Sequence, residues 1–188
     1  ISFLGDIGSY EIATELFQQI EQRFGSVDIV INNAGISYVG LFTDMRKQDW
    51  DKLINTNLDS IFNCCHFAIP SMVSNKYGKI INISSVWGCV GASCEVAYSA
   101  TKGAVNSFTK ALAKELAPSN IQVNAIACGA IDTDMNQCFT KEDLQMLEDE
   151  IPSGRMGKAE EVADLVFDLC KGHTYLTGQV IKFDGAWI

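Results

Sequence analysis

Tyr98 and Lys102 stand four residues apart near the end of the stretch Ser84–Lys102, SSVWGCVGASCEVAYSATK, and Ser85 stands at its start. Residues four apart share one face of a helix, so a helix beginning near Glu95 brings phenol and ammonium together. Ser85 leaves the apolar run Lys79–Ile83, which reads as a buried strand, and can return a hydroxyl toward that face. A phenol, an ammonium and a hydroxyl converging at a strand's end suit the transfer of a proton to or from a carbonyl oxygen. A free phenol, with a pKa of about 10, is a slow proton shuttle at neutral pH. An ammonium within roughly 4–6 Å favours phenolate and lowers that value. Lys102 is expected to supply that charge, while Ser85 holds the substrate oxygen. Tyr-x-x-x-Lys by itself is also ordinary helix composition, so the weight falls on its surroundings.

Those surroundings alternate strands with helices. Ile1–Leu4 reads as a strand ended by the turn Gly5-Asp6-Ile7-Gly8. Ser9 can cap a helix carrying Ile12, Leu16, Phe17, Ile20 and Phe24, which Gly25 stops. Val27–Asn32 reads as a strand running into Asn33-Ala34-Gly35, small residues and amides suited to close approach by a flat ligand or to a plain turn. A long amphipathic helix is expected over Gln48–Lys76, bent or interrupted at Pro70. Asn57 falls on its apolar stripe, where an amide must be hydrogen-bonded, either structurally or to position water or kink the helix. A helix to about Leu116 follows, with an apolar face of Ala97, Ala104, Val105, Phe108, Ala111 and Leu112. Ile121–Ala127 is a strand, Asn136–Gly157 a mobile lid with a helix near Lys141–Glu150, Ala159–Cys170 a helix, and Gln179–Phe183 the last strand. The pattern implies an α/β fold, a Rossmann-type doubly wound and mainly parallel sheet, in one domain.

Composition narrows the function classes. A net charge of −9 argues against nucleic acid, which wants a basic face. No apolar run reaches the ~18 residues of a membrane span, and no signal peptide opens the sequence. The seven cysteines, Cys64, Cys65, Cys89, Cys94, Cys128, Cys138 and Cys170, lack paired metal-ligand spacing and read as reduced thiols of a cytoplasmic protein without a metal site.

Taken together, Asn32-Asn33-Ala34-Gly35, Asn57 within Asn-Thr-Asn, Ser85, Tyr98-x-x-x-Lys102 and Gly129-x-Ile131-x-Thr133 resemble the short-chain dehydrogenase/reductase family over essentially the whole chain. GKIINISS, AYSATK and IDTDM resemble its 3-oxoacyl-acyl-carrier-protein reductase branch. GLFTDM, SSVWG and GASCEVAYSATK resemble the reductases of a 5-aminopentanone modification on elongation factor P. The resemblance implies a catalytic tetrad of Asn57, Ser85, Tyr98 and Lys102. In it Tyr98 donates the proton, Ser85 orients the oxygen, Lys102 binds the nicotinamide ribose and Asn57 holds a water. It implies NADP or NAD as cofactor, NADP slightly favoured. Asp6 and Ile7 would meet the adenine, Asn33, Ala34 and Gly35 the adenosine side, and Gly129, Ile131 and Thr133 the carboxamide end. It also implies a homotetramer or homodimer and a small-molecule or carrier-protein-bound ketone as substrate, most simply a 3-oxoacyl thioester of fatty acid biosynthesis. Glu95, one turn before Tyr98, could instead meet a substrate amine or be an exposed first-turn residue.

The sequence departs from that family in three places. It contains no Thr-Gly-x-x-x-Gly-x-Gly turn, which presents backbone N–H groups to a pyrophosphate. By analogy, roughly fifty residues with two strands are missing. Ile1–Leu4 should therefore sit about 14 Å from Val27–Asn32, leaving the latter with an unpaired edge. The expectation is a portion of a larger protein rather than a natural truncation, one that binds dinucleotide poorly; an inert fragment serving as a folding or interaction partner is the third functional reading. Cys128 replaces a usual Pro and Ala186 a common Gly.

Overall fold

Isoleucine and valine fill both faces of the strands, which is how a parallel sheet covered on each side must read. The structure, a computed structural model, describes residues 2–136 and 139–188. Strands β1 (Ile29–Asn32), β2 (Gly78–Ser85) and β3 (Ile121–Cys128) are joined by β6 (Val180–Phe183) in the order β1-β2-β3-β6, all parallel. A short parallel pair, β4 (Ile131–Asp132) and β5 (Gly157–Lys158), stands apart from that sheet. Helices α1 (Tyr10–Phe24), α2 (Lys47–Ile54), α3 (Ser60–Asn75), α4 (Trp87–Val90), α5 (Val96–Leu116), α6 (Lys141–Glu150) and α7 (Ala159–Lys171) complete the α/β fold.

Two apolar clusters hold the layers together. Ile61, Cys65 and Met72 of α3, with Val105 and Ala113 of α5, pack on Val30, Ile80, Ile121 and Val123. On the opposite face Leu169 of α7 packs with Ile81 and Ile126. Buried Lys79 crosses to that side and donates to the carbonyls of Leu169 (2.9 Å) and Gly172 at the end of α7. An ammonium there meets the negative end of the helix dipole. Register brings Ser85, Cys128 and Phe183 level, so three strands end along one line.

Most expected elements form where their patterns place them. Ser9 caps α1 by accepting from Ile12 N–H, and Gly25 ends it at φ 82°. The helix within the expected lid is α6, closed at its start by a capping box of Thr140 and Asp143. Residues 137 and 138 of that lid, Cys138 among them, lie outside the described residues, as does Ile1.

Four expectations are corrected. Ser2–Leu4 form no strand, and Leu4 is fully exposed. A strand is held by its ladder, and among the described residues no strand pairs with these. The expected strand Val27–Asn32 starts only at Ile29; its outer edge is unpaired, with Ile29 and Ile31 partly exposed. Pro70 lies inside α3, which runs on to Asn75; the regular α-helix is interrupted instead at Asn55–Asp59, a turn of π-helix. Of the residues expected on the apolar face of the Tyr98 helix, Ala111 is exposed, while Thr101, Lys102, Asn106 and Thr109, which were not expected there, are buried.

At the C-terminal turn both Gly185 (φ 63°) and Ala186 (φ 68°) are left-handed. Asp184 holds the turn by accepting from the N–H groups of Ala186 (3.0 Å) and Ile188 (3.2 Å). Alanine there carries a steric penalty of roughly 1–2 kcal/mol that glycine lacks, offset in part by glycine's greater freedom when unfolded. Ala186→Gly is therefore expected to raise stability by about 0.5–1 kcal/mol, read as a higher urea midpoint at unchanged slope.

Candidate active site

Helix α5 buries polar side chains along one line. Tyr98, Lys102, Asn106 and Thr109 follow one another at four- and three-residue steps, and all are buried. Each one beyond Tyr98 is matched to β2. Lys102 Nζ donates to the Ile83 carbonyl (2.8 Å), Ser84 Oγ to Asn106 Oδ1 (2.7 Å), and Asn82 Nδ2 to Thr109 Oγ1 (2.9 Å). Asn32 Nδ2 extends the line by donating to Asn82 Oδ1 (2.8 Å). No buried side-chain nitrogen or oxygen among the described residues lacks a partner.

This ladder sets Tyr98 against the end of β2, with its phenol near enough to the Ser85 side chain for that residue to favour the phenolate. Lys102 Nζ lies 5.6 Å from the centre of the Tyr98 ring. Gly88 of α4 lets the loop after Ser85 close on α5, because a Cβ at that position would lie 2.5 Å from the Lys102 carbonyl carbon. The backbone N–H of Trp87 donates to Ser85 Oγ (3.2 Å).

The π-helical turn supplies the other side of the site. Asn57 accepts from Ile36 N–H (2.8 Å) and donates to the Ile36 carbonyl (2.9 Å) and to Thr101 Oγ1 (3.1 Å). Thr101 in turn donates to the Tyr98 carbonyl (2.8 Å). One buried amide thus ties the segment after Asn33-Ala34-Gly35 to the Tyr98 turn, and a single lone pair of Asn57 Oδ1 is left for water. A Cβ at Gly35 would sit 3.5 Å from both Asn57 Oδ1 and Lys102 Nζ. The same helical run anchors the Asp6–Gly8 turn: Asn55 donates to Asp6 (3.1 Å), and Asn63 to the carbonyls of Ile7 (3.0 Å) and Gly8 (2.9 Å).

Asn57, Ser85, Tyr98 and Lys102 are therefore brought together, with Gly35 beside them. Asn33 and Ala34 are exposed at the end of β1, and Asp6 and Ile7 form a separate turn. Gly129 follows Cys128, and its backbone lies against Asp184. Ile131 is half-buried in β4, and Thr133 is exposed beyond it. The ladder partners Ser84, Asn106 and Thr109, and the contact at Gly88, escaped the sequence reading. Their signal was present: the step from Tyr98 to Lys102, taken once more, reaches Asn106.

The electrostatics correct the expected acidic phenol. Burial pushes Tyr98 up to about 12; the Ser85 hydrogen bond opposes this, and the charges of Glu95 and Cys128 add to it. Burial also pulls Lys102 down to about 8. The same cause lifts the Cys128 thiol to about 11, against the pull of Lys102, and Cys128 packs in the α7-side cluster as an apolar filler would. In a site this dry, desolvation is the largest cause of both shifts.

Residues 1–144 match the family described as short chain dehydrogenase. The chain belongs to that family. It is 41% identical over 183 residues to an uncharacterized oxidoreductase, YmfI, of Bacillus subtilis, covering 97% of this chain and 74% of that one. It is 40% identical over 175 residues to the 3-oxoacyl-[acyl-carrier-protein] reductase FabG of Thermotoga maritima, covering 93% and 71%. Among solved structures, a gluconate 5-dehydrogenase from Burkholderia cenocepacia, in complex with NADP and tartrate, superposes with a TM-score of 0.92 at 30% identity, covering 97% of this chain and 73% of that one. The chain is thus an oxidoreductase with a Rossmann-type fold, and its relatives point to a ketone-reducing kind of reaction.

A buried ammonium with its pKa drawn down to about 8 makes a definite stability prediction. The unfolded chain holds the proton more tightly, so the cost of Lys102 is fully present below pH 8. It fades as pH rises from 8 to the ordinary lysine value. Lys102→Met is expected to stabilise the fold at pH 7 by on the order of 1–3 kcal/mol, less the loss of its bond to Ile83. Urea midpoints of the two proteins should converge between pH 8 and about 10.5.

Proposed function

We propose that the chain reduces a ketone to a secondary alcohol with NADP or NAD, and that its substrate is a 3-oxoacyl thioester. The observation that carries this reading is the buried Tyr98 phenol beside Ser85 at the end of β2, with Lys102 on the same buried face of α5. The residues present fit the nicotinamide-ribose end of a dinucleotide. Lys102 Nζ spends one N–H on Ile83, leaving two donors for a ribose diol, and Gly35 keeps the adjoining backbone free of a side chain. The bound nicotinamide supplies the hydride. NADP is favoured over NAD by the likeness to the 3-oxoacyl-acyl-carrier-protein reductases and by the NADP bound in the gluconate 5-dehydrogenase.

The proton is the protein's part. A phenol at about 12 is fully protonated at neutral pH, the form that a reduction consumes. Tyr98 gives its proton to the carbonyl oxygen as negative charge develops there, and the neighbouring Ser85 hydroxyl steadies that oxygen. Lys102 stabilises the phenolate left behind, a task for which its charge matters more than in the resting site. Asn57 holds the Ile36 backbone and, on its remaining lone pair, a water from which Tyr98 is reprotonated. Asp6 and Ile7, Asn33 to Gly35, and Gly129, Ile131 and Thr133 contribute the adenine, adenosine and carboxamide contacts.

A second reading is favoured by one observation. Glu95 is partly buried and close enough to Tyr98 for its charge to act on the phenol. A carboxylate there suits a ketone that carries an amine, as on the aminopentanone-modified elongation factor P.

Two measurements on the protein expressed from its complete gene decide these points. Tyr98→Phe should lower NADPH-dependent reduction of acetoacetyl-coenzyme A by at least ~10³-fold with the fold intact by circular dichroism; retained turnover would reject the assignment. Turnover on acetoacetyl-acyl-carrier-protein should exceed that on aminopentanone-modified elongation factor P, and the reverse ranking selects the second reading.

A further inference from the structure

Backbone bonds stitch together the strand ends that carry the site. Val86 N–H, one residue after Ser85, donates to the Cys128 carbonyl (2.9 Å), and Gly129 N–H donates to the Phe183 carbonyl (2.9 Å). Glycine at 129 lets the turn after β6 lie close over the end of β3, since a Cβ there would sit 2.8 Å from Asp184 Cα. That turn brings Trp187 edge-on to Trp87, with ring centroids 4.9 Å apart and planes at 62°. Trp87 is the residue whose backbone N–H donates to Ser85 Oγ (3.2 Å). The turn after β6 thus reaches, across an intervening strand, the loop that holds the site's hydroxyl.

We propose that Trp187 is a positioning residue: its indole braces Trp87 at the start of α4, and so fixes the backbone N–H that orients the Ser85 hydroxyl. The inference rests on the reductase reading above, in which Ser85 steadies the substrate oxygen. Helix α4 is a single turn of four residues, Trp87–Val90, with no side-chain cap. So short a helix does not hold its shape by its own hydrogen bonds and takes it from what it packs against. On one side Gly88 lies against the Lys102 backbone, and Asn106 Nδ2 donates to Cys89 Sγ (3.5 Å). On the other side Trp87 meets the Trp187 ring. A brace needs firm footing, and the turn provides it. Trp187 N–H donates to the Asp184 carbonyl (3.2 Å), the Asp184 carboxylate accepts from Ala186 and Ile188 N–H, and Lys182 Nζ donates to the Ile188 carbonyl (2.8 Å). A hydroxyl that accepts from a fixed N–H has its own proton directed away from that donor, free for the substrate oxygen. Loss of the brace therefore costs the hydroxyl its direction, which is felt in the chemical step rather than in binding.

The test uses the protein expressed from its complete gene, with NADPH and acetoacetyl-coenzyme A as probes. Trp187→Ala is expected to lower kcat by about fivefold to tenfold with KM within about twofold, the loss of one aromatic pair felt in the transition state. Trp187→Phe, which keeps a ring edge for Trp87, should recover most of kcat. In a Ser85→Ala background, Trp187→Ala should change the residual turnover by less than about twofold, because the group that it orients is gone. Two indoles in contact couple their excited states, so Trp187→Ala and Trp87→Phe should each remove the same exciton couplet from the far-ultraviolet circular dichroism. Wild-type kcat in Trp187→Ala overturns the proposal, and so does a raised KM at unchanged kcat. An undiminished loss in the Ser85→Ala background, or a couplet that survives both substitutions, overturns it as well. Should Trp187→Ala fail to fold, Trp187→Leu fills most of the space without a ring edge and is read in the same way, with a loss of at least about threefold expected. Full turnover by Tyr98→Phe would reject the reductase reading, whereas wild-type kcat in Trp187→Ala rejects the brace alone.

Discussion

The hydrogen bond from Lys102 to the Ile83 carbonyl, with the Ser84–Asn106 and Asn82–Thr109 bonds below it, is the constraint on which the site depends. Apolar packing alone leaves a helix free to slide or turn on a sheet at little cost, since one methyl group replaces another. A ladder of three matched polar pairs does not. Moving α5 by one turn, 5.4 Å, would strand donors and acceptors in a dry interface, each at about 1–3 kcal/mol. The polar stripe therefore specifies a register, and that register puts the Tyr98 phenol within reach of Ser85. Gly88 contributes by omission, since any side chain there would lift α4 from the Lys102 backbone.

A second constraint lies in the π-helical turn at Asn55–Asp59. Single π turns inside α-helices recur at functional sites because one extra residue rotates the following side chains around the axis. Here Asn55, Asn57 and Asn63 together reach three separate segments: the Asp6–Gly8 turn, Ile36 and Thr101. Three asparagines on one helical run thus gather the Asp6 turn, the loop after β1 and the Tyr98 turn around a single rod. Their amides both donate and accept, so each can clamp backbone without leaving a group unpaired.

The legible parts of the chain were those written in local pattern. Ser9 and Gly25 bounded α1, and Lys141–Glu150 formed the lid helix at its expected limits. The spacing of Tyr98 and Lys102 placed both on one buried face of α5, and Asn57 was flagged because an amide on an apolar stripe needs partners. What failed depended on partners that local pattern does not contain. Ser2–Leu4 are apolar enough for a strand but have no ladder beside them. Pro70 reads as a breaker, yet the helix absorbs it, while the real interruption at Asn55–Asp59 has no composition of its own. Asn106 and Thr109 went unremarked because the donors they accept from, Ser84 and Asn82, sit on a strand more than twenty residues earlier.

The direction of the pKa shifts connects this architecture to chemistry. The same burial that locks α5 to β2 removes water from Tyr98 and Lys102, raising one to about 12 and lowering the other to about 8. Each shift favours the neutral form, yet at about 8 Lys102 still holds its proton at neutral pH, so the resting site is a neutral phenol near one buried ammonium. A neutral phenol is a competent acid only when something makes its conjugate base tolerable. The ammonium becomes that partner once negative charge appears on the phenol oxygen, because in a dry site the attraction between the two is stronger than it would be in water. A site built this way is costly to fold, because it keeps one ammonium buried at rest. Its electrostatic stabilisation is concentrated on the moment when a proton leaves Tyr98.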